Sequence, residues 1–166
     1  MGLVRSVLVK RIDNEILGLN SHLGIDVPSV PENAKFPIEV SIVLRNTPAR
    51  ISKEKTANDH VFVIVISEEY PYERPRAKWM TPVFHPNIMM PEDGGFVCVK
   101  TLDNWSFGSS LLSFVKGVEQ LISDPNPMNP YGTDSCMEAA RWYLDNKPKF
   151  EAKIRYGGND AEDNFL

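Results

Sequence analysis

Two side chains with reactive chemistry, Cys98 and Asn87, lie on a proline-rich stretch of the chain. The stretch runs from Tyr70 to Cys98, and four prolines fall between positions 71 and 86, which excludes a helix interior or a central strand. A rigid, extended path of this kind holds its polar side chains in fixed places. A cysteine attacks as the thiolate, and the amide N–H groups of Asn87 could bind a developing oxyanion.

The spacing of these residues leaves the role of Cys98 open. A cysteine hydrolase would need a base, and His85 could supply one only if the fold brings it to Cys98. Alternatively, Cys98 is an ordinary small side chain of the core. The second cysteine, Cys136, shares a helical pattern with Ala140 and Tyr143, which predicts core packing.

Composition narrows the class of protein. At 166 residues, with 42% hydrophobic and 24% charged residues, the chain is typical of one soluble globular domain. The net charge of −4 argues against a nucleic-acid partner, and no apolar run approaches a membrane span. The N-terminus lacks the features of a signal peptide, so a cytoplasmic location is expected. The histidines and cysteines show no ligand spacing, and neither a metal site nor a cofactor is predicted.

The first half of the chain predicts one helix and three strands. Apolar residues at steps of three and four predict a helix from Leu3 to Leu23, ended by Gly24; they are Val4, Leu8, Ile12, Ile16, Leu19 and Leu23. Alternation predicts a half-buried strand at 38–45, and the polar residues 46–59 read as a connection. The apolar run Val61–Ile66 predicts a strand buried on both faces. A shorter strand at 76–80 completes an antiparallel meander.

The second half predicts helices. A wide apolar stripe from Leu111 to Ile122 predicts a central buried helix, capped by Ser109 or Ser110 and stopped by Asp124-Pro125-Asn126-Pro127. A helix at 134–144 has capping-box spacing at Ser135 and Glu138, and a last short helix is expected at 146–156. Segregated strands and helices indicate an α+β fold. One domain is expected over residues 1–157, with a flexible acidic tail at 158–166.

Several motifs, in this order, resemble those of the ubiquitin-conjugating enzymes. They are Lys10-Arg11-Ile12…Glu15, Tyr70-Pro71-x-x-x-Pro75, His85-Pro86-Asn87, Cys98, Trp105-Ser106 and Asp124-Pro125-Asn126-Pro127. Tyr-Pro-x-x-x-Pro alone is weak, because non-catalytic RWD relatives carry it, but His-Pro-Asn followed by a spaced Cys and Trp-Ser is specific. The resemblance covers roughly residues 5–156. It implies a ubiquitin-conjugating-enzyme-like fold with an N-terminal helix, an antiparallel meander, an active-site segment and three C-terminal helices.

The resemblance also implies roles. Cys98 would accept a ubiquitin-like modifier as a thioester from an activating enzyme and pass it to a substrate lysine. Asn87 would stabilise the oxyanion or hold the loop that shapes the site. His85 and Pro86 would be structural, with the imidazole bonded to backbone. The alternative is a non-catalytic module of the same fold that binds a ubiquitin-like modifier or acts as a scaffold.

Partner surfaces follow from the same resemblance. Lys10 and Arg11 would meet the activating enzyme. Tyr72 and the Phe107-Gly108 loop would face a ligase of the RING type. Ubiquitin or a ubiquitin-like modifier, and protein substrates, complete the expected set of partners.

The chain departs from the family pattern at several points. Asn129 stands where the family commonly has an Asp that orients and deprotonates the incoming lysine, so unaided lysine transfer is expected to be weak unless Glu92 or Asp93 substitutes. The insert Pro91–Gly95 places Cys98 thirteen positions after His85, a longer separation than usual. The ligase-facing loop, commonly Ser-Pro-Ala, is Ser106-Phe107-Gly108 here. The Gly-rich turn usual between the first two strands is absent.

Overall fold

The α+β class expected from the sequence is confirmed by a computed structural model, which describes residues 2–98 and 103–146. The elements are α1 (Arg5–Leu23), β1 (Ile38–Leu44), β2 (Ala49–Arg50), β3 (Thr56–Ala57), β4 (His60–Ile66), β5 (Arg76–Trp79), a 3-10 turn (Pro91–Asp93), α2 (Leu111–Ser123) and α3 (Asp134–Asp145). The last predicted helix, beyond its first residue Asn146, and the predicted tail at 158–166 lie outside the described residues. Within the described part, no helix is long and apolar enough to cross a membrane.

The main sheet is antiparallel, with the strand order β1-β4-β5. Its central strand β4 alternates along its length, so the prediction that Val61–Ile66 is buried on both faces was wrong. Phe62, Ile64 and Ile66 are fully buried, whereas the three valines between and before them are only half-buried. The reason is that an antiparallel sheet needs to bury one face only. A run of valines cannot distinguish the two cases, because valine suits a half-exposed strand as well.

A small hairpin, β2–β3, occupies the stretch that was predicted as a plain connection. Ala49 pairs with Ala57, and Arg50 pairs with Thr56. The Arg50 guanidinium lies 4.0 Å from the ring centroid of Trp142 in α3, and the Arg50 carbonyl accepts a hydrogen bond from the N–H of Phe84 at 2.8 Å. The hairpin therefore fixes the position of the backbone just before His85.

The helix ends follow local capping chemistry, with two corrections to the predictions. Gly24 ends α1 in the left-handed conformation, as predicted, but α1 begins at Arg5 and leaves Val4 72% exposed, outside the buried stripe. Ser110 caps α2 and exchanges hydrogen bonds with Ser113. The cap of α3 is Thr133, whose hydroxyl accepts from the N–H of Cys136, so Ser135 is already helical. The capping box expected there does not form.

One hydrophobic core joins α1, the inner face of the sheet and α2. The indole of Trp79 stacks on the ring of Phe62 with centroids 5.6 Å apart. The core side chains of α2 are Leu111, Phe114, Val115, Val118, Leu121 and Ile122. Because α2 buries one face along its whole length, it gives the irregular segment before it a rigid surface to bind.

Gly95 and Gly18 form a matched pair for substitution by alanine. Gly95 has φ +67°, and a Cβ there would lie 2.5 Å from the Trp79 carbonyl oxygen, whereas a Cβ at Gly18 in α1 meets nothing within 4 Å. We expect Gly95→Ala to lower the free energy of unfolding by about 2 kcal/mol or more. Gly18→Ala should raise it by about 0.5–1 kcal/mol. Urea denaturation measures both; equal midpoints for Gly95→Ala and the wild type would contradict the expectation.

Candidate active site

The imidazole of His85 ties the irregular segment to the end of α2. Its Nε2 lies 2.9 Å from the Leu121 carbonyl oxygen, and its Nδ1 accepts the backbone N–H of Asn87 at 3.0 Å. Since a carbonyl only accepts, Nε2 carries the proton and the ring is neutral. Burial lowers the pKa of His85 from its ordinary value to about 4, partly offset by the Leu121 hydrogen bond. With both nitrogens bonded to backbone, His85 is not placed to act as the base of a cysteine hydrolase.

The carboxamide of Asn87 clamps the loop that follows α2. Its oxygen accepts the N–H of Asn126 at 2.8 Å, and its nitrogen donates to the carbonyls of Asn126 at 3.0 Å and Asn129 at 3.1 Å. Asn87 is 2% exposed. The amide nitrogen of Asn87 therefore donates to backbone carbonyls. The sequence left two roles open for Asn87, stabilising the oxyanion or holding the loop. The hydrogen bonds of its carboxamide match the second role.

Cys98 is half-buried and lies next to Asn87 through a backbone pairing. Its N–H donates to the Asn87 carbonyl at 2.9 Å, and Ile88 and Val97 form the neighbouring antiparallel bridge. The long separation between His85 and Cys98 is absorbed by the insert, which folds into a compact turn in which the N–H of Gly95 donates to the Met90 carbonyl. The insert therefore lengthens the chain without moving Cys98 away from the His-Pro-Asn motif.

Cys136 packs in the core, as predicted. It is 0% exposed, and its thiol donates to the Ile88 carbonyl at 3.5 Å. Burial raises the pKa of the Cys136 thiol, and the charge of Asp93 adds to the rise. A protonated, inaccessible sulfur cannot serve as a nucleophile.

Tyr131 belongs to the candidate site, although the sequence analysis did not predict it. Its N–H donates to the Pro86 carbonyl at 3.0 Å. Burial raises the pKa of Tyr131 to about 12, and the charges of Cys98 and Cys136 add to the rise. The phenol therefore stays protonated at neutral pH. Its position two residues after Asn129, in a loop already assigned to the site, was the available signal.

The two cations predicted to meet an activating enzyme differ in their surroundings. Lys10 is exposed, whereas Arg11 is half-buried and donates to the carbonyls of Phe107 at 2.6 Å and Ser109 at 2.9 Å. The Arg11 guanidinium also lies 4.7 Å from the Phe107 ring centroid and 3.3 Å from Glu15. Arg11 therefore fixes the backbone of the loop before α2.

The residues predicted to face a ligase are brought together on the surface. The rings of Tyr72 and Phe107 are 5.4 Å apart and remain 57% and 51% exposed. Gly108 is exposed beside them. The indole of Trp105 donates to the Pro71 carbonyl at 2.7 Å, which joins the two segments. The result is an exposed aromatic pair on a fixed support.

The buried imidazole predicts a specific dependence of stability on pH. An unfolded histidine has a pKa of about 6.5, and that of folded His85 is about 4. Between these values only the unfolded chain takes up the proton, so this group's contribution to the free energy of unfolding is complete above pH 6.5. It falls by about 3 kcal/mol as the pH drops to 4.

Urea denaturation at pH 7 and pH 4.5, for the wild type and for His85→Gln, measures this contribution. The wild type should lose about 2 kcal/mol more than His85→Gln over this range. Equal losses would contradict the assignment. Titration of the His85 ring resonances by NMR gives a second readout that does not depend on the variant.

Comparisons with known proteins identify the family of this chain. The model of the family described as "Ubiquitin-conjugating enzyme" matches residues 54–157. The chain is 26% identical over 151 residues to the probable ubiquitin-conjugating enzyme E2 L460 of Acanthamoeba polyphaga mimivirus, covering 89% of each. It is 27% identical over 135 residues to ubiquitin-conjugating enzyme E2 2 of Fusarium solani, covering 80% of each.

Solved structures show the same fold. A ubiquitin conjugating enzyme E2 domain of Toxoplasma gondii superposes with a TM-score of 0.62 at 22% identity, over 85% of this chain and 90% of that one. Ubc12 of S. cerevisiae superposes with a TM-score of 0.63 at 22% identity, over 89% of this chain and 74% of that one. Since the family model spans more than half of the sequence, the chain belongs to the ubiquitin-conjugating enzyme family.

Proposed function

We propose that this chain accepts ubiquitin or a ubiquitin-like modifier from an activating enzyme as a thioester on Cys98, and then passes it to a substrate lysine. The observation that carries the proposal is the half-buried Cys98 fixed beside the His-Pro-Asn motif by the 2.9 Å bond to the Asn87 carbonyl. Cys136 is a poor rival, because it is fully buried. Membership of the family supports the same chemistry.

The proposed reaction has two acyl transfers. The Cys98 thiolate attacks the thioester carbonyl carbon of the modifier on the activating enzyme; a new C–S bond forms, the old one breaks, and the enzyme's thiolate leaves. The neutral amine of a lysine then attacks the Cys98 thioester; a C–N bond forms, the C–S bond breaks, Cys98 leaves as the thiolate, and the amine gives up a proton to water. A thioester is already activated and thiolate is a good leaving group, so the first transfer needs no base from His85.

Asn87 and the loop after α2 would position the second transfer. Asn87 holds the backbone at Asn126 and Asn129, and the N–H of Tyr131 donates to the Pro86 carbonyl of the His-Pro-Asn motif. Asn129 offers an amide where an incoming ammonium group would be attracted by a carboxylate. An amide can accept a hydrogen bond but carries no charge, so we infer slow discharge to free lysine.

The partners follow from the two exposed surfaces. Lys10 on α1 is the cation available to an activating enzyme. The aromatic pair of Tyr72 and Phe107, with Gly108 beside it, would contact a RING-type ligase. Arg11 acts behind this surface, since it supports the Phe107 carbonyl and ring.

A loading assay tests the nucleophile. The protein is incubated with ATP, ubiquitin or another ubiquitin-like modifier, and its activating enzyme, and is run on non-reducing gels. We expect a band heavier by one modifier that thiol removes, that resists thiol in Cys98→Ser, and that is absent in Cys98→Ala. Cys136→Ala is the matched control and should load normally. If no variant and no modifier gives a thiol-sensitive band, a non-catalytic binding module is the better reading.

Single-turnover discharge to free lysine tests Asn129. Asn129→Asp should discharge faster, by about tenfold if the new carboxylate gains about 1.4 kcal/mol of interaction with the amine in the transition state. Asn129→Ala is the control, since it removes the amide without adding charge. An unchanged rate in Asn129→Asp would mean that another carboxylate, for example that of Glu92 or Asp93, orients the incoming lysine.

A further inference from the structure

We propose that the free edge of β1, together with segment 24–37, forms a docking groove for an extended peptide strand of a partner protein. The groove lies between this strand edge and the segment that follows α1, and its volume is about 940 Å³. Its chemistry uses backbone groups and charges and makes no use of the thiol of Cys98.

Among the residues that the structure describes, the backbone of β1 has one edge without a strand partner. The strand order β1-β4-β5 leaves β1 at the end of the sheet. The N–H of Met80 donates to the Val61 carbonyl, so Val61 and every second residue after it in β4 bond toward β5. The intervening residues of β4 bond toward β1. They pair with Ile38, Val40, Ile42 and Leu44.

The N–H and C=O groups of the alternate residues of β1 therefore point to the open edge. These residues are Glu39, Ser41 and Val43. Within residues 2–98 and 103–146, no hydrogen bond to their backbone groups is made from segment 24–37. A row of unpaired groups of this kind is a template for another strand.

The opposite wall of the groove is held by α1 and not by β1. Asn20 donates to the Val27 carbonyl at 3.0 Å and accepts the Val27 N–H at 2.8 Å. Asp13 accepts the Val30 N–H at 2.8 Å. Arg5 donates to the carbonyls of Glu32 and Ala34. Because these bonds anchor the segment to the helix, the gap to β1 stays open without a ligand, and a peptide would not have to separate the walls.

The charges along β1 specify the occupant. Glu39 and Arg45 are exposed near opposite ends of the edge, with Ser41 and Val43 between them, and all four line the groove. An antiparallel strand continues the pattern of the sheet, so it should place an acidic residue opposite Arg45 and a basic residue opposite Glu39. Its intervening residues would face an apolar wall formed by Ile25, Val27 and Val30.

The partner segment is therefore about seven residues long, with an acid first, a base last and β-branched residues between them. The β1 strand of a second copy has the same order of charges, from Glu39 to Arg45. A folded second copy would, however, bring its own segment 24–37 against the same gap. An isolated peptide strand would carry no such segment and could pack against the wall formed by segment 24–37. We therefore assign the groove to a peptide of another protein.

Fluorescence anisotropy tests the proposal with a labelled probe, acetyl-Gly-Ser-Asp-Val-Val-Ile-Thr-Val-Lys-Gly-Ser-amide. We expect saturable binding, and about tenfold weaker binding of a probe in which Asp and Lys are exchanged, at low salt. The double variant Glu39→Lys and Arg45→Glu should reverse this preference. Failure of the first probe to saturate, or an unchanged preference in the double variant, overturns the proposal.

A backbone variant supplies the second arm. Ser41→Pro removes an outward N–H at an edge position, where a strand tolerates proline, and should abolish binding. Ser41→Thr keeps the N–H and should bind like the wild type. Urea denaturation verifies that both variants fold. Cys98→Ala should also bind the probe normally, so loss of thioester chemistry and loss of the groove are separable. A concentration-dependent dimer that Ser41→Pro dissolves would overturn the proposal in favour of a second copy.

Discussion

The neutral imidazole of His85 is the constraint on which the candidate active site depends. It joins the turn before Ile88 to the last turn of α2 through the Leu121 carbonyl, and it orients Asn87 through the backbone N–H. Asn87 in turn holds the loop at Asn126 and Asn129. A proton on Nδ1 would replace the acceptor that Asn87 needs with a second donor. The site is thus built on a histidine that must stay uncharged.

A second polar centre, the carboxylate of Glu15, connects α1 to the exposed aromatic surface. It accepts the Tyr70 hydroxyl at 2.8 Å and the N–H of Leu111 at 3.0 Å, and it pairs with Arg11. The Glu15 carboxylate lies at the N-terminus of α2, where the helix dipole favours a negative charge. Burial, with the charge of Glu15 next, raises the pKa of Tyr70 far above its ordinary value. The same helix that presents Lys10 therefore also sets the Phe107 loop.

Much of the fold could be predicted from periodicity, because α1, β1 and α2 each bury one regular stripe. The errors occurred where the pattern carries no information about neighbours. Strands β2 and β3 have two residues each, too few for a period. The cap of α3 is Thr133 and not Ser135, because two hydroxyls two positions apart compete for the same helix end. The sequence of β4 could not show that only one face is buried, because valine suits a strand buried on one face as well as one buried on both.

The sequence alone determined the fold class, the family motifs and the order of His85, Asn87 and Cys98 in the candidate active site. Only the tertiary structure decided how these residues bond to one another. It placed both nitrogens of His85 on backbone groups, turned Arg11 toward the Phe107 loop and joined the N–H of Tyr131 to the Pro86 carbonyl. The physical reason is that such contacts join residues up to about a hundred positions apart, as Arg11 and Ser109 are. Residue types and local spacing specify which groups are available, and packing specifies the partner of each.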